Sequence, residues 1–426
     1  MAPAAYVRRV VDEELDELLP SLAAIALEGP RAVGKTETAL QRARTTYRLD
    51  DPAEREIAEA APARLATGAP PVLIDEWQRL PVSWDVVRRA VDADASPGRF
   101  LLTGSTAPTE VPTHSGAGRI VTLRMRPLSL AERGLTAPTV SLAALLAGGR
   151  PPVSGSTSLG LEDYAGEVIA SGFPGLRGLP GRVLRAHLDG YLERIVERDF
   201  EEMGRRVRNE GALRRWMTAY AAASSTTASF ETIRDAASGG SSEKPAKSTT
   251  IPYRSVLEQL WIIEDLPAWL PTRNHIRRLS EAPRHHLSDP ALAVRLLGVD
   301  AEALLSGEPV GPSIPRHGSL LGALFESLVA LSVRVYAQAA ESRVSHLRTR
   351  GGEHEVDLIV ERRDGRAVAL EVKLARTVGA GDIRHLTWLA DTVGADLIDA
   401  AVITTGPDAY RRSDGVAVIP AGLLGP

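Results

Sequence analysis

The 426-residue chain contains no cysteine. That excludes disulfides, thiolate-ligated zinc and cysteine nucleophiles, and it fits a reducing, cytoplasmic setting. Lysine is almost missing as well. Of 50 basic residues only four are lysines, Lys35, Lys244, Lys247 and Lys373, and the rest are arginines. The chain also lacks a positive balance. A formal net charge of −4 gives no chain-wide electrostatic case for nucleic acid, so any basic surface is local. The first twenty residues, "MAPAAYVRRVVDEELDELLP", carry an acidic run where a secretory leader has its apolar core, so no leader is expected. No apolar run reads as long enough to cross a bilayer, and no membrane partner is expected. The nine histidines are scattered; the one cluster, Arg284 to His286, reads as a solvated turn rather than a metal site.

What is present is alternation of strands and helices. Residues 4–20 read as an amphipathic helix. Short apolar runs at 22–27, 46–52, 71–76 and 99–105 read as strands, with helical periodicity at 37–43 and 83–93 and a further strand and turn in 118–134. Such alternation predicts a parallel sheet covered by helices. Residues 136–160, rich in Gly, Pro and Ser, read as a linker around one short helix. Residues 161–310 are mainly helical, with clear periodicity at 182–203 and 211–224, and a low-complexity loop at 237–252 that holds Lys244 and Lys247. From 311 to 426 a long helix (319–340), strands near 344–349, 354–361 and 366–374, a helix (380–393) and a strand (399–404) form a second α/β unit.

One of the two remaining lysines lies in "GPRAVGKT". Gly29, Gly34, Lys35 and Thr36 fill every fixed position of G-x-x-x-x-G-K-[ST], after a buried strand and at the start of a helix. Glycines let the backbone wrap a phosphate while successive N–H groups point inward, and the helix N-terminus favours the anion. Lys35 is slim enough to reach the terminal phosphates from inside the loop, where arginine is too broad. The nucleotide-binding set is Gly29, Pro30, Arg31, Ala32, Val33, Gly34, Lys35, Thr36 and Glu37, with Thr36 and Asp75 on Mg²⁺. "VLIDE" (72–76) ends in the acids that pair with such a loop: Asp75 for the metal and Glu76 for the attacking water. Thr103 and Ser105 in "LLTGS" are candidate phosphate sensors. Arg119 and Arg124 are candidate arginine fingers, acting in cis or from a neighbouring subunit.

The other lysine lies in "HEVDLIVERRDGRAVALEVK". An Asp-Gly turn joins two strands, which brings Asp357 beside Glu371. Glu371 and Lys373, two apart, leave one face while Val368, Leu370, Val372 and Leu374 pack the other. Asp357 and Glu371, with Glu326 added from the preceding helix, make an oxygen site for Mg²⁺ or Mn²⁺. Lys373 beside it holds a metal-bound nucleophile near a phosphodiester. Lys fits because one compact charge can be tuned, whereas guanidinium cannot deprotonate.

These phrases, with "VLIDEWQRLP", "GRIVTLRMRPLSLAERG", "SGFPGLR", "YLERIVERDF" and "LLGALFESLV", resemble a widespread group of bacterial and archaeal AAA-like ATPases. In that group the ATPase precedes a C-terminal domain of unknown function whose end is similar to the PD-(D/E)xK nuclease fold. The resemblance covers nearly the whole chain. It implies an α/β architecture: a P-loop NTPase parallel-sheet domain (1–135), a linker (136–160), a helical region with a winged-helix slot near 229–263 (161–310), and a PD-(D/E)xK-like domain (311–426). It also implies ATP with Mg²⁺, Arg119 as the basic sensor or finger, and Glu326, Asp357, Glu371 and Lys373 as the nuclease pattern. In the winged-helix slot a Gly- and Ser-rich insert replaces a clean turn and recognition helix, against base-specific reading. The expected activity is ATP hydrolysis joined to a metal-dependent nuclease-like domain acting on DNA, in a cytoplasmic protein that can form homo-oligomers. The competing readings are an ATP-dependent DNA-binding switch that does not cut and a protein-interaction ATPase.

Overall fold

A computed structural model describes residues 6–106, 117–238, 245–270, 281–307, 311–315 and 318–426. Lys244 and the middle of the low-complexity stretch lie outside them. The first sheet contains β1 (Ala24–Glu28), β2 (Thr45–Arg48), β3 (Val72–Asp75), β4 (Phe100–Gly104) and β5 (Ile120–Arg124). Its order is β2-β3-β4-β1-β5, and every pairing is parallel. The inner strands β1, β3 and β4 are short and mostly apolar because both faces are covered. In β1, Ile25 and Leu27 enter one core while Ala24 and Ala26 enter the other. All carboxyl ends point the same way, and there the order reverses around β1, which is where open parallel sheets hold ligands.

The second sheet is mixed. Its elements are β7 (Gly155–Ser156), β8 (Arg343–Arg348), β9 (Glu355–Glu361), β10 (Ala367–Lys373), β11 (Leu397–Thr404), β12 (Asp408–Arg411) and β13 (Ala417–Pro420), in the order β7-β12-β13-β11-β10-β9-β8. β9 and β10 form the expected hairpin, with Gly365 at φ 86° in its turn. β10 lies between β9 and β11 with both faces packed. Val368, Leu370 and Val372 enter the large central core, and Ala367 and Ala369 the smaller outer one. The one-sided packing expected for this strand is thus corrected: small residues, rather than polar ones, fill its second face until Glu371.

Residues 136–160 are not a free tether. β6 (Val140–Ser141) pairs with β14 (Leu424–Gly425), β7 edges the second sheet, and the helix Leu142–Ala147 buries Leu142, Leu145 and Leu146. Between the sheets pack the helices Leu161–Ile169, Gly181–Arg194, Glu210–Ala222, Phe230–Ala236, Lys247–Gln259 and Pro290–Leu297. The expected loop at 237–252 is helical from Lys247 onward. The expected helix at 182–203 is broken by a π-helical turn at Ile195–Asp199. Three helices from 210 to 259 lead into main-chain bridges Ile263–Leu287 and Leu266–Arg284.

The helix Leu320–Ala339 runs through the central core. By length and composition it can cross a membrane, with a mean hydropathy of 1.6 in its apolar window, which corrects the expectation that no run is long enough. Here it is buried by protein: Leu324, Phe325, Leu328 and Val333 are fully enclosed. An all-round apolar helix is what a core position demands.

Candidate functional site

The loop between β1 and the helix Lys35–Leu40 has the geometry its glycines require. A Cβ on Gly29 would lie 2.1 Å from the Met125 carbonyl oxygen, and Gly34 sits at φ +96°. Lys35 is buried, and its Nζ donates to the carbonyls of Gly29 and Pro30 at 2.9 Å each. Burial pulls its pKa down to about 8. Thr36 Oγ1 donates to Asp75 Oδ1 at 2.7 Å. A hydroxyl and a carboxylate oxygen side by side are a hard-oxygen pair of the kind Mg²⁺ takes, so these residues fit the metal–nucleotide.

β4 lies between β3 and β1, and this explains Thr103 and Ser105. Thr103 donates its hydroxyl to Asp75 and accepts the Glu76 N–H at 3.1 Å; Ser105 donates to Glu76 Oε2 at 2.8 Å. Both expected phosphate sensors thus hold the two acids. Burial pushes the Asp75 carboxyl up, while the Thr103 and Thr36 hydroxyls pull it down, and burial prevails. Glu76 has φ 55°. A non-glycine residue there costs about 1–3 kcal/mol and persists only where surrounding contacts hold it. Here those contacts are Ser105, Gln78 and Thr103.

Strand direction speaks against Arg119 acting on the loop of its own chain. It precedes β5, whose first residue pairs with the first residue of β1, so it lies at the opposite end from the loop. It is 46 % exposed and bonds Asp92 at 2.8 Å. Arg124, the alternative, ends β5 opposite Glu28, immediately before the loop. It stacks over Trp261 at 3.6 Å, and its two terminal nitrogens have no acceptor among the described residues. Burial draws its pKa down to about 9. Arg31 Nη1 bonds Asp199 Oδ1 and its Nη2 bonds Glu202 Oε2, at 2.7 Å each. The π-helical turn that presents Asp199 gives no sequence signal.

From Arg124 a charged cluster leads away. Glu264 accepts from Arg126 Nε at 2.8 Å and lies 3.7 Å from Arg334 on the long helix. Gln338 on the same helix donates to the Arg124 carbonyl at 2.9 Å and to Glu14 at 3.1 Å. Burial raises the Glu14 carboxyl to about 7, above its ordinary 4.5. A raised carboxyl stabilises fully below the ordinary value, and that contribution is lost as pH rises through about 7. Glu14→Gln keeps the acceptor for Gln338 without the charge. The expected result is a melting temperature about 2 °C above wild type at pH 8 and unchanged at pH 4, read in parallel thermal melts.

At the other end of the long helix, the second-sheet residues named from sequence do meet. Glu326, Asp357, Glu371 and Lys373 line one cavity of about 790 Å³, with Arg284, Glu355, Arg348 and Arg384. Lys373 Nζ donates to Glu371 Oε1 at 2.7 Å. Burial and the Asp357 charge push the Glu371 carboxyl up against the pull of Lys373. Burial lowers Lys373, but the carboxylates of Glu371 and Asp357 outweigh it and the ammonium is favoured. The Val372 N–H donates to Asp357 Oδ2 at 2.8 Å where the strands splay.

Arg284 carries no signal in the sequence. Arg284 to His286 are all buried, correcting the solvated turn. Arg284 Nη1 donates to Glu326 and, at 2.8 Å, to Asp357 Oδ1; its Nη2 donates to Glu355. Burial lowers an arginine's pKa, yet these carboxylates raise this one. Among the described residues no group of three or more acids and histidines is arranged to hold a metal ion. The arrangement therefore does not fit the expected Mg²⁺ or Mn²⁺: a guanidinium stands among the carboxylates.

Residues 22–133 match a family described as an AAA domain. Residues 161–303 and 321–424 match two domains of unknown function, DUF8612 and DUF4143. Uncharacterized proteins of Mycobacterium bovis and Mycobacterium tuberculosis are each 26 % identical over 423 residues, covering 98 % of this chain and 84 % of theirs. The AAA match supports an ATPase domain around the loop and acids described above.

Proposed function

We propose that the chain is an Mg–ATP-hydrolysing switch of the AAA kind, whose nuclease-like C-terminal cavity receives a phosphodiester strand such as DNA without cutting it. The observation that carries the ATPase half is the hydrogen bonding of Thr36 and Thr103 to Asp75 beside the loop. Bound Mg–ATP supplies the anhydride and the metal charge. Lys35 leaves its loop carbonyls to neutralise phosphate oxygens, and the loop N–H groups hold the anion. Thr36 and Asp75 would hold the metal, and Glu76 Oε accepts a proton from the water it orients. Arg124 takes the place expected of Arg119.

For the second half, Lys373, Arg348 and Arg384 offer cations to a phosphate chain at the cavity. Arg284 among the acids favours binding over cutting. The full chain is expected to release phosphate from ATP only with Mg²⁺. It is also expected to bind a fluorescent DNA strand with an affinity that falls as salt rises. DNA affinity unchanged in Lys373→Ala and Arg384→Ala would remove the cavity from the reading. Mn²⁺-dependent cleavage lost in Glu371→Ala and Lys373→Ala would replace the switch with a nuclease.

A further inference from the structure

The nuclease-like reading asks the acids of the second sheet to hold a divalent cation. Their oxygens are already engaged. Asp357 Oδ1 takes Arg284 and Oδ2 takes the Val372 N–H, each at 2.8 Å. Glu355 Oε1 takes Arg284, and Oε2 lies 3.4 Å from Arg348. Glu326 Oε1 also takes Arg284. Hard divalent cations need about six oxygens, and the cluster has few left to give. One is Glu371 Oε2, which is buried and has no hydrogen-bond partner among the described residues.

The occupant is built in. Arg284 is held by its main chain: its N–H donates to the Leu266 carbonyl at 2.9 Å, and its own carbonyl accepts the Leu266 N–H at 2.8 Å. On the next residue, the His285 N–H donates to Thr226 at 2.9 Å and its carbonyl accepts from Ser225 at 2.8 Å. The guanidinium therefore reaches the acids from a backbone pinned on both sides. Its planar fork can serve three carboxylates from two elements at once, which a lysine ammonium does less well. The carboxylates come from the long helix (Glu326) and from β9 (Glu355 and Asp357), so one side chain ties the helix to the sheet.

We propose that Arg284 is the resident cation of this acidic site and stands where a divalent metal would be held, so that the cavity presents Lys373 to its ligand without Mg²⁺ or Mn²⁺. This rests on the nuclease-like reading of the C-terminal sheet. Substrate meets an ammonium and a fixed guanidinium–carboxylate floor. Removing the guanidinium frees at least three carboxylate oxygens and converts the floor into a cation site.

The test is Mn²⁺ binding to the nucleotide-free full chain, read from the loss of the free-ion signal in electron paramagnetic resonance. Wild type and Glu326→Gln are expected to bind Mn²⁺ alike. Arg284→Met is expected to gain a site at least tenfold tighter than any in wild type, lost again in the Arg284→Met/Glu326→Gln pair. Wild-type Mn²⁺ binding that disappears in Glu326→Gln would overturn the proposal, and so would a folded Arg284→Met protein with no added site. Where Arg284→Met does not fold, the wild-type and Glu326→Gln titrations decide alone. Mn²⁺ at the P-loop is indifferent to Glu326 and does not confuse the result. DNA affinity of the same preparations separates the two ideas: lost DNA binding with Arg284 still excluding Mn²⁺ sinks only the strand-binding reading.

Discussion

Glu76→Gln is expected to bind ATP about as well as wild type and to hydrolyse it about 10²–10⁴-fold more slowly, the range that a positioned general base contributes. The substitution keeps size and hydrogen-bonding shape while removing the oxygen that takes a proton. Asp75, bonded to Thr36 and Thr103, is untouched. Lys35→Ala is expected to behave differently, losing ATP binding as well as hydrolysis. Lys35 is the buried cation inside the loop, and its two carbonyl hydrogen bonds are the contacts it gives up when phosphate arrives. Nucleotide titration and phosphate release on the same samples separate the two effects. Equal ATP capture by Lys35→Ala and wild type would refute the ATPase reading. Arg119→Ala should leave turnover unchanged, since its partner Asp92 lies at the other end of the sheet.

The second large effect is on stability. Glu264→Ala removes the anion that faces Arg126, Arg124 and Arg334. Breaking a buried ion cluster by deleting one partner typically costs about 3–5 kcal/mol, because the remaining charges stay buried and unpaired. Glu264 is still 17 % exposed, so the lower end, about 3 kcal/mol, is expected in chemical denaturation. The pH dependence has a definite sign. Burial raises the Glu264 carboxyl, but the charges of Arg126, Arg334 and Arg124 outweigh it and hold it well below the usual range. A depressed carboxyl stabilises above its ordinary value of 4.5, and the contribution is lost as pH falls through the folded value. The gap between wild type and Glu264→Ala should therefore be full at pH 7 and narrow below about pH 4. A gap that widens on acidification would mean the cluster is not held by this charge.

One helix touches both sites. Gln338 touches the end of β5 beside the P-loop, Arg334 meets Glu264, and Glu326 on the same helix touches Arg284. Eight residues of helix, about 12 Å, separate Glu326 from Arg334.

Much of this is legible in the chain alone, where the chemistry is local. "GPRAVGKT" encodes the loop after the strand and the helix start within eight contiguous residues, and Asp75 and Glu76 are adjacent. The Asp-Gly turn sets the β9–β10 hairpin and so brings Asp357 toward Glu371; the period of a strand puts Lys373 on the face of Glu371. The choice between Arg119 and Arg124 has a local signal too. Parallel strands present their carboxyl ends to a nucleotide. Arg124 stands at the carboxyl end of the apolar run "IVTL", whereas Arg119 precedes it.

The sequence by itself determined the strand–helix alternation, the P-loop and its acids, and the pairing of Glu371 with Lys373. Each depends on backbone geometry and side-chain period over a few residues. Only the tertiary structure decided what neutralises those charges. Arg284 reaches Glu326 across 42 residues and Asp357 across 73. In a chain that writes arginine nearly everywhere, nothing local distinguishes it. Likewise residues 140–156 return to pair with the end of the chain at Leu424–Gly425 and to edge the C-terminal sheet, although their composition reads as a tether. Buried charges must find partners wherever the packed chain brings them, and that choice belongs to the fold as a whole.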